Sequence, residues 1–128
     1  MALREKTAAR VRVVTGGNDD YVGAQGMKIS PRISADTGAE RLCAFYVCLE
    51  AGAETAMHHH CAEETVVLVL EGSNELWFGD RLEETVEVNT GDLVFIPAGC
   101  PHKVLAGPDG VTALEIRSGA MENTVVVE

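Results

Sequence analysis

Turn-forming residues punctuate this 128-residue chain so closely that no long helix fits between them. Short β-type runs occupy 10–14, 28–34, 41–51, 65–70, 75–78, 85–88, 93–96, 103–105, 111–117 and 124–127. The stretches TGGNDD (15–20), EGSN (71–74), GD (79–80), NTGD (89–92) and GPDG (107–110) fall between them. Strands this short with this many turn residues predict an all-β sandwich or closed barrel. Residues 3–10 alone have room for a turn or two of helix, and read equally well as a frayed arm.

Two runs carry apolar side chains on both faces, LCAFYV at 42–47 and VVLVL at 66–70. A strand with one wet face alternates polar and apolar residues, and these do not. Burial on both faces in so small a domain points to a partner subunit, and a homodimer is expected. Composition sets the remaining bounds. At 46% hydrophobic and 23% charged, the chain is an ordinary globular domain. The longest apolar run, Val66 to Leu70, is far short of the ~20 residues of a membrane helix. The opening MALREKTAAR lacks the apolar core of an export signal. Ten basic against twenty acidic residues give a net charge of −10, which repels nucleic acid. Cys43, Cys48, Cys61 and Cys100 lack zinc-ribbon or CxxC spacing. They are expected to be free thiols in a reducing cytoplasm.

The chemistry concentrates in four histidines: His58, His59, His60 and His102. Read as extended chain, His58 and His60 point one way and His59 the other, because side chains alternate with period two. Glu64 has the same parity as His60, so two imidazoles and a carboxylate converge from one strand. His102 from a second strand completes an N3O set suited to Fe, Mn, Ni, Cu or Zn. The same triplet on its own reads equally well as a solvated, inert turn.

The surroundings of these histidines form two longer patterns. The first runs from Gly52 through AETAM, His58-x-His60 and Glu64 to Gly72; the second is Gly91-DLVFI-Pro97-x-Gly99-x2-His102. Together they resemble the paired motifs of the cupin superfamily, G-x5-H-x-H-x3,4-E-x6-G and G-x5-P-x-G-x2-H-x3-N. Eighteen residues separate Gly72 from Gly91, which suits small single-domain members. MHHHCAEETVVLVLEG and GDLVFIPAGCPH look like a group of small bacterial cupins. The resemblance implies an RmlC-like jelly-roll barrel over 1–128, with an arm at 1–10 and a core at about 40–118. It also implies a metal held by His58, His60, Glu64 and His102. Two positions depart from the pattern. Seven residues separate Glu64 from Gly72, which suggests a bulge and lets Glu63 compete with Glu64 as ligand. Ala106 replaces the closing Asn. In some cupins the carboxylate stays off the metal and acts as a base, so Glu64 is also a candidate general base.

An N3O site leaves two octahedral positions open to water, O2 or a chelating substrate. The first expectation is Fe(II) dioxygenase chemistry on a small oxygenated molecule in an apolar pocket. The alternatives are isomerase or lyase chemistry through an enediolate, and a non-catalytic cupin that binds a small molecule or metal. Tyr46, Gln25, Arg41 and Trp77 are candidate polar companions. The scattered basic residues argue against a sugar phosphate.

Overall fold

A computed structural model describes residues 9–16, 19–119 and 124–127. Its strands are β1 (Tyr21–Val22), β2 (Lys28–Ile33), β3 (Cys43–Leu49), β4 (His58–His59), β5 (Thr65–Phe78), β6 (Glu84–Asn89), β7 (Leu93–Ile96), β8 (His102–Arg117) and β9 (Val125–Val126). The single helical element among the described residues is the 3-10 turn Ala35–Thr37, capped by Ser34 and ended by Gly38 at φ 102°. The expected all-β jelly-roll architecture is present. The helix considered at 3–10 falls almost wholly outside the described residues, and the run at 10–14 is irregular.

All nine strands join one curled sheet in which every pairing is antiparallel. Its backbone is the pair formed by the two long strands, β5 against β8, from Thr65↔Arg117 to Phe78↔His102. EGSN and GPDG, read from sequence as strand breaks, lie inside these strands as bends. Register shifts at Val69/Glu71 and Gly72/Asn74 mark the spot, where the bulge near Gly72 was expected. Beyond the bend the strands change neighbours. Thr65 to Leu68 pair with β7 on one side and with β8 on the other, whereas Ser73 to Phe78 pair with β6. One lobe is therefore β1-β2-β3-β8-β5-β7, and the other is β9-β4-β8-β5-β6.

The bend depends on Gly72. Its φ is +80°, and a Cβ there would run into the backbone of Gly110. Gly72→Ala is expected to destabilise the fold by about 2 kcal/mol or more, because strain and a backbone clash act together. A urea melt measures it.

The inner faces of the two lobes make the core. Phe45 (0% exposed), Val47, Val69, Leu76, Val88, Val111 and Ala113 pack between them. The outer faces differ sharply. On the first lobe, the rows Ala44–Ile116–Val66–Phe95 and Tyr46–Leu114–Leu68–Leu93 run across four strands. Phe95 is 59% exposed and Leu93 71%. The outer face of the second lobe instead carries Lys103, Trp77, Glu75, Thr85 and Glu87, with Lys103 paired to Glu54 at 3.0 Å.

Candidate metal centre

His58 pairs with His102 across β4 and β8, and β9 covers the other edge of β4 through Val126↔His58 and Val125↔His59. The alternation read from the sequence holds for the triplet: His58 and His60 are buried, and His59 is half-buried. Ring centroids lie 4.2 Å apart for His58 and His102, 4.9 Å for His60 and His102, and 5.1 Å for His58 and His60. Each ring offers a nitrogen, and these atoms all lie within 4.8 Å of one another.

The outward nitrogens are tied down. His58 Nδ1 donates to the Ala56 carbonyl at 2.7 Å, and His102 Nδ1 donates to the Cys100 carbonyl at 2.9 Å. A carbonyl oxygen only accepts, so in both neutral rings the lone pair is on Nε2. His60 Nδ1 meets Thr124 Oγ1 at 3.2 Å, while its Nε2 is buried with no hydrogen-bond partner among the described residues. Metal-binding histidines are held in this way, with Nδ1 fixed by an outer partner. An orphaned, buried Nε2 facing two other imidazoles fits a divalent transition metal.

Electrostatics favour neutral rings. Burial lowers His58 to about 3, helped by His102, and lowers His60 to about 2, helped by Arg117. His102 is lowered too, chiefly by burial. From the sequence alone, metal would be expected to leave as pH drops below about 6.5. Because the folded rings stay neutral well below that, loss of metal to protons is shifted to lower pH. The sign for stability follows from the depressed values. Below 6.5 the unfolded chain binds protons that the folded metal-free protein refuses. Stability therefore falls with pH, by up to roughly 1.4 kcal/mol per unit for each such histidine. Acid titration of the metal-free protein, followed by circular dichroism, should show unfolding that added metal shifts to lower pH.

The carboxylate departs from expectation. Glu64 is exposed and outside the histidine group. The period-two argument fails there because the chain turns between His60 and Glu63. Glu63 N–H donates to the His60 carbonyl at 3.0 Å, and Cys61 has φ 55°. Glu64 instead joins the strand entrance through its backbone, exchanging hydrogen bonds with Ser118. Glu64 does not line the cavity that His58 and His102 share. Glu63 is half-buried and is likewise outside the group. The motif's longer spacing, four residues after the second histidine and six before the glycine, falls on Thr65. Thr65 is 0% exposed, and its Oγ1 has no hydrogen-bond partner among the described residues.

Two charged residues that sequence reasoning passed over lie inside. Glu115 (7% exposed) and Arg117 (1%) follow Val111 and Ala113 on the inward face of β8. The signal was available: odd-numbered positions 111–117 share one face, and two of them are charged. Arg117 Nη2 donates to Glu115 Oε1 at 3.0 Å, Arg117 Nη1 donates to Thr124 Oγ1 at 3.0 Å, and the guanidinium lies 4.9 Å from the Phe45 ring. Burial raises the Glu115 carboxyl against the pull of Arg117. Glu115 lines one cavity with His58, His102, Asn74 and apolar residues that include Val67, Val69, Leu76 and Val104. None of Tyr46, Gln25, Arg41 or Trp77 lines it. Tyr46 lies under Arg32, Trp77 Nε1 donates to Glu75, Arg41 is exposed, and Gln25 is buried beside a separate pocket. Cys61 is exposed and Cys100 half-buried, and none of the four cysteines forms a disulfide.

Known structures share this fold. No curated protein sequence matches the chain significantly. A structure of oxalate decarboxylase from Bacillus subtilis superimposes with a TM-score of 0.75 at 19% identity, covering 97% of this chain and 34% of that one. Another, from work on the Mn(II) centres of that enzyme, has a TM-score of 0.69 at 18% identity, covering 93% and 32%. The chain thus spans about a third of the decarboxylase. The polyketide cyclase RemF from Streptomyces resistomycificus has a TM-score of 0.70 at 25% identity, covering 95% of this chain and 87% of that one. A family model described as "Cupin domain" matches residues 45–116, which hold both histidine motifs and all but the last residue of the two long strands. With more than half its length matched, the chain belongs to the cupin superfamily.

Proposed function

We propose that this cupin is a metal-dependent enzyme acting on a small chelating oxygenated substrate, with Fe(II) dioxygenation as its leading reaction. His58, His60 and His102 hold the ion, which is Fe, Mn, Ni or Zn. The observation that carries this reading is the convergence of three imidazoles, two of them fixed through Nδ1 to backbone carbonyls with Nε2 free to coordinate. Such an ion supplies Lewis acidity and open positions for chelation. The chain's own residues set what enters. The cavity has mostly aliphatic walls, so beside His58, His102, Asn74 and Glu115 it offers a ligand few polar partners. The closed set of four ligands typical of structural zinc is not matched by these three histidines.

Isomerase or lyase chemistry through an enediolate is the second reading, favoured by the likeness to the RemF cyclase over nearly the whole chain. Metal analysis of untagged protein, followed by oxygen uptake on a panel of diketones and enediols, separates the readings. Stoichiometric iron with substrate-dependent uptake supports the dioxygenase, and consumption without uptake supports the second. Bound metal with no turnover points to a sensor or carrier of a small molecule.

The proposed setting is a single-domain cytoplasmic protein that binds neither nucleic acid nor membrane. Among the described residues, no helix is long and apolar enough to cross a membrane. The proposed assembly is a homodimer through the apolar rows on the first lobe, where Phe95 and Leu93 stand exposed beside Val66 and Ile116. A contiguous apolar face of this kind on a monomer marks an interaction surface, and the contrast with the charged outer face of the second lobe selects this side. Phe95→Asp is expected to give monomers in sedimentation at concentrations where the parent chain pairs. Unchanged pairing would move the interface elsewhere.

A further inference from the structure

Among the described residues, the three histidines have no carboxylate in their own group, and under the motif's four-residue spacing Thr65 falls where the glutamate would be. A buried carboxylate that shares a cavity with two of the histidines enters from the other lobe. Glu115 faces the cavity that His58 and His102 line, and Arg117 clamps its Oε1 at 3.0 Å. Arg117 is fixed in turn by Thr124, which also meets His60 Nδ1, so the clamp and the histidine group are built as one hydrogen-bonded unit. Burying a Glu–Arg pair in so small a core is costly unless the geometry is good. A pair retained beside converging imidazoles calls for a use.

We propose that Glu115, held by Arg117, accepts a hydrogen bond from the hydroxyl of a substrate chelated at the three-histidine site. The site thereby selects α-hydroxy acids and α-hydroxy ketones over ligands that present only acceptor oxygens. This rests on the metal-binding reading above and names its substrate class. A hydroxyl donor satisfies the carboxylate, whereas a keto oxygen in the same place would set two acceptors against each other. Sites built to pair a substrate hydroxyl reject the analogue lacking it, because a buried polar group is then left unpaired. The discrimination lies in Glu115, not in the ligand imidazoles, so changing it should alter preference and leave the ion in place.

The test uses cobalt(II)-loaded protein, with lactate and pyruvate as probes in isothermal titration. The native chain is expected to bind lactate at least about 10-fold more tightly than pyruvate, the scale of one hydrogen bond to a charged group. Glu115→Gln keeps an oxygen for Arg117 and places an amide donor in the cavity. It should abolish or reverse the preference while the cobalt spectrum and cobalt affinity stay nearly unchanged. Glu115→Asp, which draws the carboxylate back, should reduce the preference by a smaller factor. An unaltered lactate-to-pyruvate ratio in Glu115→Gln overturns the proposal, as does the absence of any preference in the native chain, which needs no variant. Loss of cobalt from Glu115→Gln also overturns it, by making Glu115 a ligand. If the native chain takes up no cobalt, the metal reading itself falls, a result separate from these.

Discussion

His60→Ala is expected to lower divalent-metal affinity by well over 100-fold, while His59→Ala retains most of it. Loss of an outer hydrogen-bond partner typically costs 10–100-fold, and removing a donor atom should exceed that. The two residues are adjacent and chemically identical, so the comparison isolates geometry. His60 is 2% exposed with Nε2 buried among the other rings, whereas His59 is half-buried and takes up the Cys61 N–H through its Nδ1. Cobalt titration followed by absorbance measures both variants. Equal loss would mean that the alternation of the triplet does not decide which rings bind.

The second large effect concerns the interior ion pair. Glu115→Leu leaves the Arg117 guanidinium, whose side chain is 0% exposed, without its carboxylate. Stranding one member of a buried pair costs about 3–5 kcal/mol, a large part of the 5–15 kcal/mol that holds a domain folded. The double variant Glu115→Leu/Arg117→Met should recover much of this loss, because two apolar side chains of similar volume incur no charge-burial penalty. Chemical denaturation of both variants tests the contrast. A single variant as stable as the parent would show that the pair is not confined as described. Glu115→Gln also removes the counter-charge but still offers Arg117 an acceptor, so its loss of stability should be smaller than that of Glu115→Leu.

Much of this was legible in the residues. Period-two alternation placed His58 and His60 together and His59 apart, and the second motif brought in His102. It failed at Glu64 because alternation holds only while the chain is extended, and the turn closed by Glu63 N–H on the His60 carbonyl intervenes. Local composition also misread EGSN and GPDG. Such residues often end a strand, but in β5 and β8 a pairing over the whole length carries the ladder through the bend. Short strands fared worse still. Tyr21–Val22 and His58–His59 are two residues long, defined by their neighbours and not by any pattern of their own. Thr124 was seen only as the start of a run, and its contact with His60 spans sixty-four positions. Position 64 drew attention for its closeness in sequence, whereas Glu115 is brought to the cavity by strand pairing that no local pattern announces.

The most direct test is diffraction from crystals of metal-loaded protein, recorded across the absorption edge of the bound ion. A single anomalous peak is expected inside the barrel, about 2.0–2.2 Å from Nε2 of His58, His60 and His102. Glu64 should remain at the surface. Metal found elsewhere, or an empty barrel at saturating metal with the three rings turned apart, would contradict the account.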